Sequence, residues 1–387
     1  MIMQTTKSLQ NHIFCHLSRC TNARSKSPAC TSRYTDMKHY HCSISTGSGN
    51  NRKITGGILS DPENKGERQQ GVNFDTLGSW NNRINMPLAV EKSIKMGRII
   101  PEIPLEQVGI ATHTGRKLVN EDRYVVERLT PEILCFGIFD GHGGELAADF
   151  VSTNIIHFIR HWLGRTEDLN RVLKHAYIDI NNMLTRHMNF YCLDSPYYNC
   201  GTTATVCLLH HGIKLHIAHV GDTRAILGRE GQAVRLTEDH SADDPREAER
   251  ITKSGGMVIA NSLGVQQVDG RLSMTRSIGD IELKSKGVIA RPSLKTVTLK
   301  HGHDGFLILS SDGLNFVLND NEVVDIVGIC QNPQDAATFI TDQALQFGTE
   351  DNTTVVVIPL GAWGKYRNTT RPIPYSFGRN LVGGRFG

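Results

Sequence analysis

FGIFDGHGGELAADF, residues 136–150, passes from apolar chain through an acid and a glycine-flanked histidine into a helical pattern. Phe136 to Phe139 read as the end of a strand. Beyond Glu145 the apolar residues Leu146, Phe150, Ile155, Ile156, Ile159 and Leu163 recur at helical spacing, so the segment joins a strand to a helix. Asp-Gly alone is ordinary turn chemistry. The question is whether Asp140 and His142 stand alone at this strand end, or whether other strands end in the same way.

Moving outward, short runs rich in β-branched and aromatic residues occur at 123–128, 133–139, 203–209, 213–219, 225–229, 288–290, 294–299, 306–310 and 353–360. Most are separated by Gly, Asp, Asn or Pro, the signature of strands. Helical periodicity covers 145–163, 168–189, 245–254, 320–329 and 334–347. Strands come in runs and helices in pairs, without strict βαβ alternation. That order predicts an α+β layered domain with antiparallel strands rather than a doubly wound sheet.

The acids then fall into a pattern. Asp140 follows GIF, Asp312 follows FLILSS, Asp222 follows IAHVG, Asp351 precedes TTVVVIPL, and Glu121-Asp122 precede RYVVE. Five strand ends thus carry carboxylates that one end of a layered sheet could gather, and such a cluster repels itself unless cations neutralise it. Hard oxygen donors without a Cys or His cluster suit Mg²⁺ or Mn²⁺ rather than Zn²⁺. Gly141 and Gly313 allow close backbone approach and offer carbonyl oxygens. Two divalent ions sharing a carboxylate can activate a water for in-line attack on phosphorus. His142 is placed to protonate a leaving alkoxide. A metal-dependent phosphoester hydrolase is one chemistry that this set supports. Cys-x5-Arg, GxxxxGK[ST] and GxSxG, which serve other phosphate or acyl chemistries, do not occur.

Composition bounds the partners. Of 387 residues 39% are hydrophobic and 21% charged, and no apolar run approaches the ~18 residues of a membrane helix. The net charge of +3 is unevenly spread: residues 1–53 hold eight Lys/Arg against Asp36, leaving 34 basic against 38 acidic residues for the rest. A slightly acidic body argues against nucleic acid as a partner. Residues 1–35 contain Lys7, Arg19, Arg24, Lys26 and Arg33, many Ser/Thr and no acid, which is the composition of an organelle transit peptide. The reading is a transit segment over 1–42, a Gly/Ser/Asn-rich linker over 43–90, a catalytic domain over 91–366 and a tail over 367–387. The nine cysteines show no CxxC pair, which predicts reduced thiols.

Eight segments in order, VNED (119–122), FDGHGG (139–144), GTTATV (201–206), VGDTRAIL (220–227), LTEDH (236–240), TRSIGD (275–280), SSDGL (310–314) and GTEDNTTVVVI (348–358), give the chain its resemblance. Over roughly 105–360 it resembles the metal-dependent serine/threonine protein phosphatases of type 2C. The resemblance implies a four-layer αββα sandwich, two central, mostly antiparallel sheets flanked by helix pairs, with two Mn²⁺ or Mg²⁺ ions at one end. Asp140 would bridge both ions and Gly141 would bind through its carbonyl. Asp312, Asp351 and Glu121 would complete the shells, with Asp122 and Asn352 in support. Asp222 would serve a third ion, and His142 matches the general acid. The substrate implied is a phosphorylated protein.

Two departures stand out. Lys117, with Arg116 beside it, occupies the place of the phosphate-gripping arginine, and a lysine lacks the bidentate fork. DGLNF puts Phe316 where many members carry a further acid, which puts a third metal in doubt. WNNRI (80–84), residues 91–109 and GAWGKY (361–366) resemble the flanks of the mitochondrial branch of the family that acts on the branched-chain 2-oxoacid dehydrogenase complex, which implies the mitochondrial matrix. Two other readings use the same residues: a pseudophosphatase serving as an interaction module, and a hydrolase of small phosphoesters. Arg276 and Asp280 read as a buried structural pair, His240 as a structural histidine, Thr202 and Thr203 as strand-start residues, Cys200 as unreactive, and 241–270 as a flap beside the site.

Overall fold

The computed structural model describes residues 102–193 and 195–367, so the expected transit segment, the linker and most of the tail lie outside the described residues. In chain order the first strands are β1 (Gly109–His113), β2 (Arg123–Thr130), β3 (Ile133–Phe139), β4 (Gly141–His142) and β5 (Gly201–Thr202). They are followed by β6 (Ala204–His210), β7 (Lys214–Val220), β8 (Arg224–Arg229) and β9 (Gln232–Arg235). The later strands are β10 (Val258–Ala260), β11 (Gln266–Val268), β12 (Ile278–Gly279), β13 (Ser293–Thr298), β14 (Asp304–Ser310) and β15 (Thr353–Pro359). The helices are α1 (Leu146–Leu163), α2 (Leu169–Tyr191), α3 (Pro245–Lys253), α4 (Ile281–Lys284), α5 (Asp312–Asn315), α6 (Asp320–Ile329) and α7 (Pro333–Gln346).

Two five-stranded antiparallel sheets carry the fold, one in the order β1-β15-β14-β8-β9 and the other β13-β7-β6-β3-β2. Their strands alternate in which core they face, as the period of two demands. In β3, Leu134, Phe136 and Ile138 face the opposite sheet, meeting Leu307, Leu309, Val356 and Ile358 of β14 and β15. Ile133, Cys135 and Phe139 face the other way, onto Val151, Ile155 and Ile159 of α1 and Leu173, Ala176 and Ile180 of α2. On the far side Ile308, Val355 and Val357 meet Val323, Val324 and Val327 of α6 and Ala337, Ile340 and Ala344 of α7. Three cores between four layers make the α+β layered domain that the sequence predicts, in the αββα form that the resemblance implies.

Because the central strands are buried on both faces, they read as continuous apolar runs. Helix starts follow the chain chemistry: Asp168 accepts from the amides of Asn170 and Arg171, and Asn319 with Glu322 forms a capping box on α6. A fourth, small core (Ala242, Ile251, Val268, Leu272, Met274, Leu283, Val288) holds together the segment beside the sandwich end, where the flap is expected. The strand expected at 288–290 is reduced to one bridge, Ile289 opposite Arg276. The five described cysteines are free thiols, and among the described residues no helix is long and apolar enough to cross a membrane.

Candidate active site

The five predicted strand ends meet at one end of the sandwich. β3 of one sheet runs into Asp140, and β14 of the other runs into Asp312; the Asp312 amide donates to Asp140 Oδ2 at 3.2 Å. Asp140 is pinned by its backbone. Its amide donates to Thr203 Oγ1 at 3.0 Å, while the Thr203 amide and Thr202 Oγ1 donate to its carbonyl at 2.9 and 3.0 Å. The two threonines expected only to start a strand therefore also hold the acid. Asn352 clamps the loop of Glu121 to that of Asp351: its Oδ1 accepts from the Glu121 amide at 2.8 Å, and its Nδ2 donates to Thr114 O and Val119 O at 2.8 and 3.2 Å. Glycine is required at both Asp-Gly turns by proximity. A Cβ on Gly313 would stand 2.1 Å from Asn352 O, and one on Gly141 would stand 2.7 Å from Glu121 O.

A pocket of about 390 Å³ opens here, lined by Asp140, Asp222, Asp312 and Asp351 together with Lys117 and His142. Asp140, Asp312 and Asp222, with Asp122 close by, resist ionisation. Burial, then the charges of Asp312, Asp122 and Asp222, hold the Asp140 carboxyl well above the usual range; burial, then Asp222 and Asp351, do the same to Asp312. Burial pushes Asp122 up to about 6, against hydrogen bonds from Ser311 and Thr354 that pull it down. Burial and Asp239 push Asp222 up to about 6.

Among the described residues, no three His, Cys, Asp or Glu side chains close on one point as a finished ligand shell. The donor set still fits hard divalent cations. Asp122 Oδ1, Asp222 Oδ1 and Asp312 Oδ1 are buried with no hydrogen-bond partner among the described residues, and crowded carboxylates of this kind need positive charge. Mg²⁺ in particular keeps several waters and takes only a few carboxylates, so an open cluster suits it better than a closed cage.

Lys117 lines the pocket with Nζ 2.7 Å from Asp351 Oδ1, whereas Arg116 turns to Glu350 at 2.6 Å on the exposed surface. Burial lowers the Lys117 pKa, but the hydrogen bond and charge of Asp351 raise it further, so the lysine is held as a cation. Phe316 is exposed. His142 Nε2 lies 2.9 Å from each carboxylate oxygen of Asp280. Burial disfavours its charged form, yet Asp280 outweighs this and raises its pKa.

The Asp280 contact corrects the expected Arg276–Asp280 pair. Arg276 bonds instead to Glu247, through Nη2 at 2.5 Å and Nε at 3.0 Å. His240 is structural as expected: Nδ1 accepts from the Gly221 amide at 3.2 Å, Nε2 sits 2.8 Å from Ser293 Oγ, and burial beside His219 and Arg276 pushes it down to about 2. Burial pushes the Cys200 thiol up to about 12, which leaves it inert. Of the expected flap 241–270 only Gln267 lines the pocket; Arg271, Leu272, Ser273 and Met274, just beyond it, form that wall.

With this geometry the comparisons are specific. The family model for Protein phosphatase 2C matches residues 112–353. The chain is 47% identical over 309 residues, 80% of its length and 82% of the relative's, to "Protein phosphatase 1K, mitochondrial" of Xenopus laevis. It is 32% identical over 284 residues to "Protein phosphatase 2C homolog 1" of Saccharomyces cerevisiae, covering 67% of this chain and 96% of that one. In fold it is similar to the crystal structure of serine-threonine phosphatase 2C from Toxoplasma gondii, with a TM-score of 0.58, 23% identity, and 65% of this chain and 94% of that chain covered.

Proposed function

The chain belongs to the protein phosphatase 2C family of Mn²⁺- or Mg²⁺-dependent serine/threonine protein phosphatases, and we propose that it acts in the mitochondrial matrix, with the branched-chain 2-oxoacid dehydrogenase complex as its first candidate substrate. The observation that carries the chemistry is the convergence of Asp140, Asp312, Asp351 and Asp222 on one pocket that also holds Lys117 and His142. Support for the compartment is the acid-free basic stretch 1–35, together with a relative whose name places it in mitochondria.

In this reading Asp140, Asp312, Asp351, Glu121 and the Gly141 carbonyl hold two divalent ions. When bound, such ions lower the pKa of water and neutralise phosphate charge. The rest falls to the chain. Asp122, fixed by Ser311 Oγ donating to its Oδ2 at 2.8 Å, and Asn352 hold the ligand loops in register. Lys117 contributes a cation for phosphate oxygens, with Arg116 turned away from the pocket. His142, whose charged form Asp280 favours against the cost of burial, supplies the proton to the departing serine or threonine oxygen. Asp222 lines the same pocket, but with exposed Phe316 in place of a further acid this reading assigns no third ion to it.

The test is phosphate release from a phosphoserine peptide, from the phosphorylated dehydrogenase complex and from a generic aryl phosphate, with Mn²⁺, with Mg²⁺ and with chelator. Metal-dependent release from the complex that Asp312→Ala abolishes is expected. Turnover of aryl phosphate alone would replace the protein substrate with small phosphoesters. Import of the full chain into isolated mitochondria tests the compartment, and a product that stays outside them would sink that part.

A further inference from the structure

One residue outside the proposed ligand set governs the proposed acid. Asp280 is 4% exposed and ends SIGD, where β12 passes into α4. Its φ of +48° lies in the left-handed region, which non-glycine residues hold only when their surroundings enforce it. Those surroundings are specific: its amide donates to Cys200 O at 3.1 Å, and Ser277 Oγ donates to its Oδ2 at 2.5 Å. Behind them, Lys284 Nζ donates to Ser277 O at 2.7 Å. The carboxylate is thereby aimed at His142 Nε2, 2.9 Å from both of its oxygens. His142 Nδ1 is buried with no hydrogen-bond partner among the described residues, so the Asp280 contact is the ring's one hydrogen bond there.

Space around the pair is just as specific. A Cβ on Gly201 would lie 2.1 Å from Asp280 Oδ2 and 2.5 Å from His142 Nε2. Gly201 is not among the positive-φ glycines, so its backbone does not require glycine. The missing side chain leaves room for the Asp280–His142 contact.

We propose that Asp280 is the positioning residue for the leaving-group acid, anchoring His142 by Nε2 so that the ring faces the phosphate pocket in one orientation. The inference rests on the reading of His142 as that acid. A carboxylate that holds an imidazole by one nitrogen recurs behind metal-bound histidines, where losing it typically costs about 10–100-fold, and the same scale is expected for an imidazole that serves a leaving group.

The experiment compares His142→Gln, Asp280→Asn and Gly201→Ala in the full chain with saturating Mn²⁺. Each is assayed on a phosphoserine peptide, whose alkoxide needs a proton to leave, and on p-nitrophenyl phosphate, whose phenolate does not. Circular dichroism and the Mn²⁺-induced rise in melting temperature establish that each variant folds and binds ion. The ratio of kcat on peptide to kcat on aryl phosphate should fall ~100-fold or more in His142→Gln. In Asp280→Asn and Gly201→Ala it should fall ~10-fold or more with KM little changed. Equal losses on both substrates in Asp280→Asn, beside a selective loss in His142→Gln, would overturn the positioning role and leave the acid standing. Equal losses in His142→Gln would overturn the acid reading and the positioning role with it.

Discussion

Glu247→Ala removes the carboxylate that fastens the flap to the edge of the site. Glu247 accepts from Arg276 Nη2 and Nε at 2.5 and 3.0 Å, from Arg250 Nη2 at 2.6 Å and from Thr275 Oγ1 at 2.8 Å. Its side chain is 7% exposed, against 18% for Arg276 and 26% for Arg250. Removing one partner of a buried ion pair costs about 3–5 kcal/mol, mostly because the remaining charge is left uncompensated. Both arginines keep other acceptors, Thr275 O for Arg250 and Ser293 Oγ for Arg276, and reach some water, so the low end applies, about 3 kcal/mol. At about 2–4 °C per kcal/mol for a domain of this size, the melting temperature should fall by roughly 6–12 °C at pH 7.5.

The pH dependence gives a second handle on the same substitution. Burial alone would raise the Glu247 carboxyl, but the hydrogen bonds from Arg276, Arg250 and Thr275 outweigh it and hold the group well below the ordinary range. A depressed folded value means the stabilisation is fully present above the unfolded value of about 4.3 and is lost as pH falls below it. The gap between wild type and variant in urea midpoint should therefore be constant from pH 6 to 8 and narrow by pH 4. A fall of less than about 2 °C at pH 7.5, or a gap that does not narrow, would mean that the arginines are satisfied without Glu247 and that the flap is held by its small apolar core alone.

The other expectations are more local. Since Asp140 and Asp312 have raised folded values, the folded state retains protons that the unfolded state releases, so in chelator stability should fall as pH rises from 5.5 to 8. Mn²⁺ should reverse that fall and Asp312→Asn should flatten it; a wild-type profile already flat in chelator would contradict the crowding. Tyr177→Phe removes a buried hydroxyl that donates to Ala218 O at 2.8 Å and Ala204 O at 3.2 Å, and should cost about 1–2 kcal/mol in urea titration with activity per folded molecule unchanged. Lys117→Arg restores a two-pronged grip on phosphate and should lower KM for phosphopeptide several-fold at similar kcat. An unchanged KM would place Lys117 off the substrate.

What could be read in the sequence follows from where each interaction keeps its information. The central strands were legible because double burial writes a continuous apolar run, as in ILCFGIF of β3 and TTVVVIP of β15. The ends of those runs exposed the acids. GIATH of β1 and QAVR of β9 carry no such run, because each is an edge strand with only a few apolar side chains to bury. β1 is a strand only because β15, more than two hundred residues later, lies beside it. The same holds at the site. Asp280 and His142 are 138 residues apart, and Glu121 and Asn352 are 231 apart. Nothing local in RSIGD says which partner its acid will meet, and the nearest basic neighbour, Arg276, suggested the wrong one.

The placement of the acids also explains why an ion belongs to the fold as much as to the reaction. β3 and β14 come from different sheets, and the loop carrying Asp222 crosses from one sheet to the other between β7 and β8. Closing the sandwich therefore forces Asp140, Asp312 and Asp222 together, whatever their mutual repulsion. The apolar cores along the rest of the strands must oppose that repulsion, because Asp122 Oδ1, Asp222 Oδ1 and Asp312 Oδ1 have no partner among the described residues to relieve it. An ion bound only by the folded chain adds its binding energy directly to stability, about 1.4 kcal/mol for each tenfold excess over Kd. A loss of activity in a ligand variant consequently has two parts, and melting curves with and without Mn²⁺ separate them. A variant such as Asp312→Asn should be the more stable protein in chelator and the less stable one in metal, an inversion that a merely structural acid would not produce.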